Sequence, residues 1–156
     1  MTDTKTILIK EYFHNVKQAN KELTKKEAFK DLLNRLYSAD KDILKLIDKI
    51  SLGSEKTILN IPRKDKLHKG SADTLYNKII IEFENDLKQT LTHAKEQLAG
   101  YLLGQFNSGE GYNFTLIASD FITWKVYAPA VECIDKLKEL KEHELELEEV
   151  KSASFV

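Results

Sequence analysis

Between Lys78 and Leu103 the apolar residues change period, and that change constrains the fold more than any other feature of the chain. Ile79, Ile80 and Ile81 form a β-branched run that reads as a strand from Lys78 to Phe83. From about Asp86 to Leu103, Leu87, Leu91, Ala94, Leu98 and Leu102 recur on one helical face. Gly104, Gly109 and Gly111 then mark a loop. Tyr112–Ala118 and Ile122–Tyr127 read as a hairpin around Ser119-Asp120. Upstream, Ala72–Tyr76 forms a hairpin with Lys78–Phe83 across an Asn77-Lys78 turn, and Thr57–Ile61 reads as a short strand stopped by Pro62.

The N-terminal third is helical by the same criterion. Ile7, Leu8, Tyr12, Phe13 and Val16 follow helical spacing, and Thr24 with Glu27 reads as a capping box ahead of Phe29, Leu32, Leu33 and Leu36. Ile43, Leu44, Leu46, Ile47 and Ile50 make a further stripe ended by Gly53. A shorter helix is expected over about Ala130–Lys141, with a final edge strand in HELELEEVKSASFV. The expectation is an α/β architecture with helices covering both faces of a central sheet.

The 156 residues suit one domain with a sizeable core. A net charge of −1 announces no global affinity for nucleic acid or membrane, so either would need a local patch. The lone Cys133 excludes an intrachain disulfide and a cysteine zinc site, and reads as a small core filler in a reducing compartment. No apolar run approaches membrane-spanning length and MTDTKTILIK lacks the order of a signal peptide, so a cytoplasmic protein with no membrane partner is expected.

Against this ordinary background stands Glu-Phe-Glu at the end of the isoleucine run. Side chains alternate along a strand, so Glu82 and Glu84 share a face and Phe83 takes the other. The turn at Asn77-Lys78 brings Asp73 roughly opposite Glu82. Three carboxylates that close repel unless a cation neutralises them, and hard oxygen ligands suit Mg²⁺ or Mn²⁺. Such a cation activates water and stabilises charge on a phosphodiester. By composition alone, two solvated glutamates at a strand end explain the same residues.

The wider pattern shifts that balance. GSAD at 70–73, IIIEFE at 79–84 and QLAGY at 97–101 occur in the order of a Gly-x-Pro-Asp turn, a strand ending Glu-x-Lys and a helix with Gln-x-x-x-Tyr. The chain thereby resembles the PD-(D/E)XK nuclease superfamily, and within it the N-terminal nuclease domain of restriction-modification enzymes (type I restriction subunits and fused type II enzymes). TKKEAFKDLLNRL resembles their first helix and YNFTLIASDFITWKVYAP the hairpin after the active-site helix, so the likeness runs from about Thr24 to Val150. Ala72 stands in place of the family's Pro and Glu84 in place of its Lys, the residue that orients or polarises the attacking water. Some restriction endonucleases of this superfamily carry Glu there and still cut DNA.

The resemblance implies a restriction-endonuclease-like central mixed sheet flanked by helices and a Mg²⁺-dependent endodeoxyribonuclease acting on double-stranded DNA. Asp73 and Glu82 would hold the ion with the Phe83 carbonyl, and Glu84 would position or deprotonate the water. Gln97 and Tyr101 would border the active site, and a helical Glu, read as Glu27, would lend a further carboxylate. His93 reads as a solvated neighbour one turn before Gln97. Arg63, Lys64, Lys66 and Lys69, a +3 stretch with Asp65, read as a loop able to grip the phosphate backbone, with the Glu-rich segment 142–149 placed away from it. Lys88 and Lys95 are candidates to replace the missing Lys. The chain is expected to be one nuclease-like domain, 1–156, from a longer restriction enzyme with further domains or subunits as partners. The alternatives are a nuclease fold that binds DNA or a protein without cutting, and an interaction domain whose acids are surface charge.

Overall fold

Helix formation begins where acidic side chains meet free backbone N–H groups. Asp3 accepts from the Lys5 N–H ahead of α1 (Thr4–Gln18), and Asp40 accepts from the Asp42 and Ile43 N–H groups ahead of α3 (Lys41–Ile50). The second helix, α2, spans Glu22–Leu36, so Thr24 lies inside its first turn and the expected capping box does not form. Only three residues separate α1 from α2, and Glu22 supplies the negative charge that a helix start favours. The computed structural model describes residues 3–154.

The sheet is mixed and five-stranded among the described residues, in the order β3 (Thr74–Tyr76), β4 (Ile79–Phe83), β5 (Thr115–Ser119), β6 (Thr123–Pro129) and β7 (Leu147–Ser154). β4 and β5 run parallel, joined by the long helix α4 (Leu87–Asn107); the other neighbours are antiparallel. A 3₁₀ helix at Val131–Glu139 replaces the expected α-helix before β7. The hairpin at Asn77 and the terminal edge strand lie where periodicity places them.

Two expectations about the middle of the chain need correction. The strand beginning near Thr57 is β1 (Lys56–Arg63), which passes through Pro62, and the basic segment is a turn followed by strand β2 (Lys66–Ala72). These two strands pair only with each other, so each has a free edge on which a proline costs no ladder bond.

Gly104 ends no helix; it lies within α4. That helix has the sheet on one side and the β1–β2 hairpin on the other, and every residue from Leu98 to Gly104 is buried. A helix apolar all round suits that position. Ile58 and Ile61 of the hairpin, Leu98 and Leu102 of α4, and Ile80, Leu116 and Tyr127 of the sheet belong to one core cluster. Phe83, Ile81 and Phe121 pack on the opposite face with Tyr12, Val16 and Leu32 of α1 and α2. Phe83 stacks on Phe121 with centroids 4.3 Å apart.

A Cβ at Gly104 would stand 2.6 Å from the Leu59 carbonyl and 2.8 Å from Ile58 Cγ2. Gly104→Ala must therefore push α4 off the hairpin, and a loss of about 1–3 kcal/mol is expected. Urea denaturation reads it as a lower midpoint; an unchanged midpoint would mean that the hairpin yields freely.

Candidate active site

β2 ends at Ala72 and β3 begins at Thr74, leaving Asp73 between the hairpin and the sheet. The Thr74↔Ile81 register continues to place Asp73 beside the end of β4, where the Phe83 N–H donates to Asp73 Oδ2 at 2.8 Å. One aspartate thus ties two strand ends together and turns its charge toward Glu82.

Strand alternation fixes the rest of the cluster. Phe83 enters the core against α1 and α2, so Glu82 points to the α4 side, where it is 5% exposed. Its Oε2 is buried and receives no hydrogen bond. Burial first, then a hydrogen bond and repulsion from Asp73, push the Glu82 carboxyl up to about 10. The Tyr101 hydroxyl opposes that rise and the charge of Glu84 adds to it. Without a cation, Glu82 therefore holds a proton at neutral pH.

Glu84 is half-buried beyond Glu82, and its N–H donates to the Ser119 carbonyl at 2.8 Å. Burial raises its carboxyl most, and Asp73 adds repulsion; His93 and the Thr90 hydroxyl lower it. His93 is exposed on α4, the solvated position read from sequence. Tyr101, buried on the same helix, donates to the Ser71 carbonyl at 2.7 Å, and burial together with Glu82 drives its hydroxyl well above the usual range. Gln97 is half-buried on α4 one turn before Tyr101.

Sequence reasoning placed the helical carboxylate at Glu27. That residue and Glu22 are both exposed on α2, and it is Glu22, at the first turn, whose carboxyl responds to the cluster. Partial burial, then Asp73 and Glu84, raise its carboxyl, while Lys26 and Lys25 lower it. The signal was present in the sequence as an acid in a helix's first turn, but reading Thr24 as the cap put the helix start beyond it.

The expected basic grip also changes. Arg63 donates to both oxygens of Glu142, at 2.7 and 3.3 Å, so its charge is neutralised by the very segment expected to lie elsewhere. Lys64, in the turn, and Lys66 and Lys69, on β2, are exposed. Lys95 lies over the Tyr127 ring, 5.2 Å from its centroid, and Lys88 is exposed on α4's first turn.

Among the described residues, no three His, Cys, Asp or Glu side chains form a preformed metal cage. The donor chemistry nonetheless fits a hard divalent cation: a buried carboxylate oxygen without a donor faces a second carboxylate, with a third beyond it. No helix among the described residues is long and apolar enough to cross a membrane. No protein-family model matches the chain, and no curated protein or solved structure matches it.

Proposed function

We propose that the chain is a metal-dependent endonuclease domain with a restriction-endonuclease-like fold, hydrolysing DNA phosphodiesters in a restriction-modification setting. The observation that carries this reading is the donorless Oε2 of buried Glu82 beside Asp73. Burying an acid beside a second, half-buried one is costly, and without a cation that cost is met by protonating Glu82. A surface charge reading leaves Glu82 unexplained, because that side chain is in the core.

Asp73 and Glu82 would hold Mg²⁺ or Mn²⁺, with the Phe83 carbonyl as a further oxygen. Bound there, the ion would supply Lewis-acid activation of water and stabilise charge on the phosphate. Glu84 takes the proton of the attacking water, a task suited to a carboxyl raised above its ordinary value. Tyr101 braces the Ser71 backbone at the edge of the acidic cluster, and Gln97 contacts substrate from the same helix. Glu22 adds negative charge at the rim. Lys64, Lys66 and Lys69 approach the DNA backbone from the hairpin, while Arg63 orders its own end of β1 through Glu142. The further domains or subunits of such a system, and a cytoplasmic setting, belong to the same proposal.

A module that binds DNA or a partner protein without cutting is the second reading. It is favoured by one observation: Glu84 stands where the resembled superfamily has its Lys.

The test is Asp73→Asn, nearly isosteric with the wild-type side chain. Mn²⁺ is expected to raise the wild-type melting temperature by about 5–10 °C at a hundredfold excess over Kd. Asp73→Asn should remove most of that gain and abolish plasmid nicking. A wild-type protein that neither responds to Mn²⁺ nor nicks DNA would refute the enzyme reading.

A further inference from the structure

We infer that a cleft between the end of α1, the start of α2 and the β4–α4 turn binds the phosphodiester backbone of a nucleic-acid strand leading to the acidic cluster. The strand's destination rests on the nuclease reading; the binding itself rests on the cleft. Its volume is about 500 Å³, and Lys17, Lys25 and Lys88 line it against Asp86 and Asp120. Asn85 and Asp86, which line it, directly follow Glu84.

The acids and the cations of this cleft differ in what they have left to offer. Asp86 accepts the Lys88 N–H at 3.0 Å and caps α4. Asp120 accepts the Leu87, Ile122 and Thr123 N–H groups at 3.2, 3.1 and 2.8 Å. Both carboxylates accept backbone donors yet keep their charge, so the cleft's three ammonium groups outnumber its two acids by one. Among the described residues none of the three lysines makes an ion pair. Lys17 lies 4.9 Å from the Phe13 ring centroid, and Lys88 is exposed.

Lys25 is the unusual member. It is 8% exposed, and its Nζ donates to the Asn85 carbonyl at 2.6 Å. An ammonium has three donors, and this bond uses one. A buried cation with a neutral partner is expensive unless an anion completes its shell. Glu22, one turn earlier, senses Lys25 without pairing with it and senses Asp73 and Glu84 as well. The first turn of α2 therefore borders both the cleft and the acids. Phosphate oxygens, negative and accepting, are the ligand chemistry that meets these free donors.

The experiment is fluorescence anisotropy on the full chain with a short labelled DNA duplex, with Ca²⁺ replacing Mg²⁺, across a range of KCl. The double variant Lys17→Gln/Lys88→Gln changes only surface charge. It should weaken binding at least tenfold at low salt and reduce the slope of log K against log salt by about 2. Lys25→Met, which keeps the aliphatic stem, should weaken binding further; if it fails to fold, the double variant decides. Wild-type binding with an unchanged double variant would overturn the cleft and leave the nuclease reading standing. A wild type that does not bind the duplex would overturn both. Inorganic phosphate supplies the last arm. If it raises the melting temperature of wild type and not of the double variant, while the two bind duplex equally, the cleft is a small-anion site and the strand proposal falls.

Discussion

In EDTA, the protein will lose stability as the pH rises from about 5 to about 9, and Glu82→Gln will remove most of that loss. The folded-state carboxyl of Glu82 is pushed up to about 10 by burial and by Asp73, whereas a glutamate in the unfolded chain titrates near 4.3. The folded state therefore keeps a proton that the unfolded state releases. This stabilisation is complete below the unfolded value and is lost as the pH climbs through the folded one. The limiting slope is about 1.4 kcal/mol per pH unit, with Glu84 and Tyr101 the neighbouring groups whose own ionisation is also shifted. For a chain of this length each kcal/mol moves the melting temperature by about 2–4 °C. Calorimetry between pH 6 and 9 should show a fall of up to about 8–17 °C for wild type and a nearly flat line for Glu82→Gln. Parallel lines would mean that Glu82 is solvated and ionised.

The second large effect concerns turnover. If the chain is the nuclease proposed above, Glu84→Gln should cut DNA about 10²–10⁴-fold more slowly, because an amide cannot accept the proton from water. On the same proposal, stabilisation by Mn²⁺ should survive in that variant, since Asp73 and Glu82 would remain to hold the ion. Glu84→Lys places at this position the residue that the superfamily usually has, and activity in that variant combined with inactivity of Glu84→Gln would assign Glu84 to the water. Equal rates for wild type and Glu84→Gln would take proton transfer away from it.

What the sequence made legible was local. Strand alternation separated Phe83 from Glu82, and a two-residue turn at Asn77-Lys78 set the register that puts Asp73 beside them; the Thr74↔Ile81 pairing follows from those two facts. The helical, strand and helical succession before β5 was readable for the same reason. What was not legible depended on elements distant in sequence. Arg63 finds Glu142 seventy-nine residues away, so its charge could not be discounted from the basic run alone. Gly104 looks like punctuation until a hairpin more than forty residues upstream is laid against it. Lys25 is one lysine among many until the turn after β4 closes over its ammonium.

The double coverage of α4 has a consequence for how the chain folds. A helix whose central residues have no solvent side cannot be half docked: until both the sheet and the β1–β2 hairpin arrive, one of its apolar flanks is bare. The hairpin is thereby bound into the same cooperative transition as the sheet, not a flap that opens by itself. Asp73, at the junction of hairpin and sheet, therefore takes its place only in molecules where both layers have closed on the helix between them.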